Sequence, residues 1–229
     1  DKIIVNSDEF KKEFKKYFNI DPIRIYNLLE NPKKLKKKSQ KKIKFPFFDK
    51  NTKKCIKILA IGRLVKQKDH ITILKALSLL KNKINFKFCL IGKGNLKEKL
   101  NHFVVKNKMN KYVKFVGYKD NVYPYYRKAD LYILSSLYEG LPNTLIEANY
   151  FNLTIISSDC KTGPKEILES NKSAKFFKVG NYKELSNIIL SIKIKKKKKY
   201  NIDKKFEFYN NLFHYKKLIL SIAKWIHYF

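Results

Sequence analysis

The chain has 229 residues, 44% of them hydrophobic, and 52 lysines and arginines against 19 acidic residues give a formal charge of +33. That apolar content supports a globular core, while the charge by itself would point to nucleic acid or an anionic membrane. Only Arg24, Arg63 and Arg127 are arginines; readers of bases depend on the planar guanidinium fork that lysine lacks, so a nucleic-acid-binding module is the weaker reading. Abundant Lys, Ile, Asn, Tyr and Phe read instead as a coding bias toward AT-rich codons.

Along the chain, Ile3-Ile4-Val5-Asn6-Ser7 reads as a strand with a capping residue, Asp8 to Phe18 as a helix, and Ile23-Arg24-Ile25-Tyr26-Asn27 as a second strand. One βαβ unit cannot bury both of its faces. Residues 1–31 therefore read as the tail of a preceding domain that is mostly absent. Lys33-Lys34-Leu35-Lys36-Lys37-Lys38, with Lys41, Lys42 and Lys44, lies in a stretch, residues 32–54, expected to be a self-repelling, solvated linker. This run, and Lys193 with Lys195 to Lys199, could also rest on an anionic leaflet at about 1 kcal/mol per lysine.

From Cys55 onward short apolar runs alternate with amphipathic segments. Ile56 to Ile61, Phe86 to Ile91, Val113 to Val116, Leu131 to Leu134, Leu153 to Ile156 and Ala174 to Phe177 read as strands. Asp69 to Leu80, Leu96 to Lys108, Val122 to Lys128, Asn143 to Tyr150, Pro164 to Leu168 and Tyr182 to Ile192 read as helices. The alternation predicts an α/β fold over residues 55–200, Rossmann-like and doubly wound around a parallel sheet, with ligands beyond the strand carboxyl ends. Residues 201–229 form a separate segment, in which Phe206 to Phe229 is a long, largely apolar helical pattern containing Trp225 that needs a covering surface.

Cys55, Cys89 and Cys160 lack metal-ligand spacing, as do His70, His102, His214 and His227. His70 reads as a polar residue at a helix start, and free thiols fit a reducing cytoplasm. No run of eighteen apolar residues is present, and the first residues do not read as a signal peptide. The expected location is cytoplasmic, with peripheral contact to the inner membrane face through the lysine runs.

Gly-bearing turns follow several predicted strands and would gather on one sheet edge. Gly62-Arg63-Leu64 precedes Lys68 at a helix entrance, where Arg63 and Lys68 can clamp a diphosphate. Ile91-Gly92-Lys93-Gly94 is by itself a weak phosphate signal. In Tyr138-Glu139-Gly140-Leu141-Pro142-Asn143-Thr144-Leu145-Ile146-Glu147, two glutamates flank a turn that opens a helix, with Pro142 expected in its first turn. The free N–H groups from Gly140 to Thr144 point out of the positive end of the helix dipole and can hold phosphate, while the carboxylates accept from hydroxyls.

Together with Val113-x-Phe115-x-Gly117, Ala129-Asp130, Ser158-Asp159-Cys160 and Gly163-Pro164-Lys165-Glu166-Ile167-Leu168, these motifs resemble the carboxyl-terminal, donor-binding domain of retaining GT-B glycosyltransferases of the family-4 group, over Ile56 to about Leu190. The resemblance implies sugar transfer from a nucleotide sugar, with a UDP-sugar expected, to a saccharide or lipid-linked acceptor, without a required metal or other cofactor. It implies that Arg63 and Lys68 hold the diphosphate, Glu139 the donor sugar and Glu147 both ribose hydroxyls. Gly62, Gly92, Gly94, Gly140, Leu141, Asn143 and Thr144 would meet the donor, and backbone near Tyr118 the base. The glycine-rich loop and histidine that the family carries upstream are not found, so the chain is expected to bind donor poorly or turn over slowly, as a fragment or with its other half on a second polypeptide. A nucleotide-sugar epimerase on the same architecture is the enzymatic alternative.

Overall fold

An apolar run followed by an amphipathic helix, repeated, favours parallel strands with helices on both faces, and the computed structural model, which describes residues 2–49, 55–194 and 203–226, has this form. Strands β3 (Ile56–Ile61), β4 (Phe86–Ile91), β5 (Val113–Gly117), β6 (Leu131–Leu134), β7 (Thr154–Ser158) and β8 (Lys175–Phe177) make a six-stranded sheet ordered β5-β4-β3-β6-β7-β8. Every pairing is parallel. The chain winds outward from β3 to β5, then returns to place β6 against the other side of β3. This crossover opens a crevice at the carboxyl ends of β3 and β6, where doubly wound sheets bind ligands.

Alternate strand residues face two cores. Ile58, Ala60, Phe88, Leu90 and Ile133 pack on one face against α4 (His70–Ser78), α5 (Lys97–Lys106) and α9 (Tyr182–Ser191). Leu59, Cys89, Ile91, Tyr132 and Leu134 pack on the other against α6 (Tyr123–Lys128), α7 (Asn143–Tyr150) and α8 (Pro164–Leu168). Both faces are covered, so β6 and the carboxyl-terminal parts of β3 and β4 are continuous apolar runs.

The lysine-rich stretch differs from its expected form. Residues 32–49 are not a solvated linker: they hold α2 (Pro32–Gln40) and α3 (Pro46–Asp49). Asn31 caps α2 by accepting the Lys33 N–H at 2.9 Å, and Pro32 takes the first turn, where its missing N–H costs nothing. Leu35 and Ser39, one turn apart, are buried toward α6, and Arg127 donates to the Ser39 carbonyl at 3.0 Å. The lysines occupy the remaining faces, their stems compatible with helix. Phe45 and Phe48 complete the packing, Phe45 edge-on to Tyr125 at 5.2 Å.

The amino-terminal unit forms as read: β1 (Ile4–Val5) pairs in parallel with β2 (Ile23–Arg24) across α1 (Asp8–Phe18). Ser7 caps α1 by accepting the Phe10 N–H, and Asn19, at φ 54°, ends it in the left-handed region. The last helix, α10 (Phe208–Ile226), returns to this unit through Lys2 to Ser221 at 3.1 Å and Asn31 to Tyr209 at 3.0 Å. Lys195 to Lys199 and residues 227–229, including His227, lie outside the described residues. Among the described residues, no helix is long and apolar enough to cross a membrane.

Candidate functional site

The turn after β3 and the loop after β6 are stitched together across the crevice. Leu137 donates its N–H to the Gln67 carbonyl at 2.8 Å, Gln67 Nε2 donates to the Tyr138 carbonyl at 3.0 Å, and Ser135 Oγ donates to the Lys68 carbonyl at 2.8 Å. These bonds bring Lys68 Nζ to 2.6 Å from Glu139 Oε1, with both side chains largely withdrawn from solvent. Ser136 Oγ donates to the same carboxylate oxygen at 2.5 Å. Arg63 joins through Gln67, its guanidinium donating to Gln67 Oε1 at 3.2 Å while remaining exposed. Arg63, Lys68 and Glu139 thus belong to one hydrogen-bonded set.

His70 opens α4 as expected but is buried, and its ring Nε2 lies 3.2 Å from the Arg63 carbonyl. Since a carbonyl only accepts, Nε2 is the protonated nitrogen. Burial pulls the ring down to about 4, so it is neutral at physiological pH and pins the Arg63 backbone without adding charge.

The loop from Gly140 to Thr144 is held from beneath. Thr162 Oγ1 donates to the Glu139 carbonyl at 2.5 Å, and Gly163, at φ +85°, lies so close that a Cβ there would sit 2.1 Å from the Gly140 carbonyl oxygen. Pro142 precedes α7 instead of entering its first turn, and the helix starts at Asn143. Among the described residues, no backbone carbonyl accepts from the N–H groups of Gly140, Leu141, Asn143 or Thr144. They remain available at the helix's positive end.

Glu147, one turn into α7, is surrounded by tyrosines. Tyr126 donates to its Oε2 at 2.9 Å, and Tyr123 of the same helix stands beside the carboxyl. Burial raises Glu147 to about 7, with the tyrosine hydrogen bonds acting in the opposite sense. Tyr126 and Tyr123 were not singled out in the sequence; their placement on α6 opposite α7 depends on the intervening strand.

The glycine turns divide. Gly62, Arg63, Gly92, Lys93 and Tyr118 line a cleft of about 410 Å³ beside the crevice, with Lys119 adding a further cation. Tyr118 is exposed, and Lys93 Nζ lies 5.4 Å from its ring centroid. A Cβ at Gly92 would meet the Gly62 carbonyl at 1.9 Å, and one at Gly94 the Leu64 backbone at 2.4 Å. The Gly-x-Gly pattern therefore serves turn-to-turn packing, and Gly94 is outside the cleft lining. At Gly62 a Cβ would make only ordinary contacts at 3.5 Å. Among the described residues no cluster of three or more potential metal ligands occurs.

Residues 39–208 match the family model described as Glycosyl transferases group 1. The chain is 40% identical over 109 residues to an uncharacterized glycosyltransferase of Methanocaldococcus jannaschii, covering 47% of this chain and 27% of the relative. It is 36% identical over 126 residues, 54% of this chain and 34% of the relative, to a Campylobacter jejuni α-1,4-N-acetyl-D-galactosaminyltransferase whose name gives a diphospho-undecaprenol-linked acceptor. It spans about a quarter to a third of the length of these relatives. The pneumococcal O-GlcNAc transferase GtfA, solved with UDP and GlcNAc, superposes with a TM-score of 0.70 at 17% identity, over 96% of this chain and 45% of that one. The likeness in fold is to GT-B glycosyltransferases, and the match over most of its length shows that this chain belongs to the group 1 glycosyl transferases.

Proposed function

We propose that the chain carries the donor half of a retaining, family-4-type hexosyltransferase, moving a sugar from a UDP-sugar to a saccharide or lipid-linked acceptor in polysaccharide, lipopolysaccharide or glycan biosynthesis. The observation that carries this reading is the Lys68–Glu139 pair at 2.6 Å, set at the crossover of β3 and β6 beside a cationic cleft. The UDP and GlcNAc named with the pneumococcal structure, and the lipid-linked acceptor named for the Campylobacter relative, support it.

In this reading residues 55–200 bind the donor, residues 1–31 end the acceptor-binding domain, and α10 leads back to it. The base lies by Tyr118 and Gly92, the ribose hydroxyls donate to Glu147, and the N–H groups from Gly140 to Thr144 meet the diphosphate. Arg63 and Lys68 offset the negative charge that grows as the bond between the sugar's anomeric carbon and the β-phosphate oxygen breaks. The acceptor hydroxyl bonds to that carbon from the face the phosphate leaves, its proton passing to the departing phosphate oxygen, so configuration is retained. Glu139 holds sugar hydroxyls and faces the developing positive charge. The exposed lysines of α2 supply contact with an anionic cytoplasmic leaflet.

A panel of nucleotide sugars tested against thermal unfolding checks this reading, because a ligand of the native state raises the melting temperature. One UDP-sugar and UDP itself are expected to protect. Protection by neither, in a form carrying both halves, overturns it.

A further inference from the structure

The amino-terminal unit touches the Glu139–Asn143 loop, and a carboxylate outside the site organises that contact. Glu166 of α8 accepts the Asp8 backbone N–H on Oε1 at 3.1 Å and on Oε2 at 3.2 Å, and Tyr26 donates its hydroxyl to Oε1 at 2.6 Å. Asp8 is the first residue of α1, so its N–H has no partner within the helix, and the positive end of the helix dipole meets the carboxylate. Arg24 completes the anchor, pairing with Asp8 at 2.6 Å and lying 4.3 Å from the Tyr26 ring centroid. The Lys161–Glu13 pair adds a more exposed tie that contributes little alone.

The anchored helix bears on the loop. Phe10 covers Gly140 so closely that a Cβ there would lie 3.2 Å from the ring. Asn27 Nδ2 donates to Asn143 Oδ1 at 2.8 Å and reaches the Leu141 carbonyl at 3.5 Å, with Asn6 donating to Asn27 Oδ1 at 3.2 Å. From below, Thr162 and Gly163 grip the same loop immediately before α8 begins. One short helix therefore holds the loop at its start and, a turn later, holds the helix that covers the loop. The cleft lined by Gly62, Gly92 and Tyr118 contains none of Asp8, Phe10, Asn27 or Glu166.

From this arrangement we infer that Glu166 is a positioning residue: by fixing the amino end of α1 it keeps Phe10 and Asn27 on Gly140–Asn143, so that seating of the amino-terminal unit sets the fit of the donor's diphosphate and sugar and leaves the base and ribose unaffected. The inference deepens the donor reading and rests on it for its ligand. It makes α8 the element through which the acceptor side reports to the sugar side.

Amide hydrogen exchange and calorimetry with UMP and the protecting UDP-sugar test it on wild type, E166A, E166Q and F10A. E166A is expected to speed exchange at the Leu145 and Ile146 amides, which donate to the Pro142 carbonyl at the end of the loop, about tenfold relative to β3 and β4 amides, with UMP affinity held within about twofold. The ratio of UDP-sugar to UMP affinity should fall about tenfold, a change that a general loss of structure would not produce. F10A should reproduce both effects with the Glu166 bonds intact, and E166Q, which keeps one acceptor oxygen, should fall between. Faster exchange confined to residues 8–11, or equal loss of UMP and UDP-sugar affinity, overturns the inference. If wild type, in a form carrying both halves, binds neither ligand, the donor reading fails while the exchange measurement still decides the coupling. Should E166A not fold, F10A and E166Q carry the same comparison.

Discussion

Lys68 and Glu139, 71 residues apart in the chain, meet at 2.6 Å where the turn after β3 faces the loop after β6. The pair is unequal: 16% of the Lys68 side chain is exposed against 6% of Glu139. Lysine can swing its ammonium toward water on a flexible stem, whereas the carboxylate is fixed by Ser136 and by Thr162 on its own backbone.

Removing the lysine should therefore cost more than removing the acid. Lys68→Met strands a buried carboxylate and is expected to lower stability by about 3 kcal/mol, while Glu139→Gln should cost about 1 kcal/mol. The double substitution should recover most of the Lys68→Met loss. Urea unfolding of the four proteins at pH 7 checks this, and equal losses for the two single variants would contradict the asymmetry.

Glu147 should make stability depend on pH with a sign opposite to that of an ordinary paired carboxylate. Burial raises it to about 7, against about 4.3 for a free glutamate. Between these values the folded state binds the extra proton, so this group's contribution falls as pH rises from about 4.5 to 7, and is fully favourable below that window. The stability of wild type relative to Glu147→Gln, taken from urea midpoints at pH 5, 6 and 7.5, should fall as pH rises, by up to about 3 kcal/mol. In the donor reading, ribose hydroxyls favour the carboxylate form, so UDP affinity should rise over the same window. Glu147→Ala should weaken UDP about tenfold or more by calorimetry; unchanged affinity would remove the ribose assignment.

These features were legible in the sequence to different degrees. The strands and the Glu139 and Glu147 positions could be read because short apolar runs bounded by glycine and polar residues are local signals. The close packing of Gly92 on Gly62 and of Gly94 on Leu64 joins turns about thirty residues apart, so a phosphate-like pattern concealed a packing requirement. Glu166 was visible only as part of a motif, because its partners Asp8 and Tyr26 lie 158 and 140 residues away. Lysine was the main obstacle in α2, since one leucine among five lysines carries almost no periodic signal although lysine itself tolerates helix well.

That hidden helix is open to a direct test. Leu35 is 3% exposed against the α6 side of the core, so Leu35→Ala should cost about 2–4 kcal/mol by loss of buried methyl groups and the space left behind. Lys36→Ala and Lys37→Ala, on the solvent side, should stay within about 0.5 kcal/mol. Chemical denaturation of the three variants distinguishes a packed helix from a linker, in which all three would be silent.

A glycine comparison isolates the support beneath the Glu139–Asn143 loop. Gly163 and Gly180 both hold positive φ, +85° and +74°, but a Cβ at Gly163 would lie 2.1 Å from the Gly140 carbonyl oxygen and 2.8 Å from Pro142, whereas nothing lies within 4 Å at Gly180. Gly180→Ala should pay only the backbone term, about 1 kcal/mol and about 3 °C in melting temperature. Gly163→Ala must also displace the loop, and about 3 kcal/mol and about 8 °C are expected. In the donor reading, because Glu139 and Asn143 bound that loop, Gly163→Ala should also lower UDP-sugar affinity while Gly180→Ala leaves it unchanged. Equal thermal shifts for the two alanines would mean that the contact between Gly163 and Gly140 relaxes freely and does not support the loop.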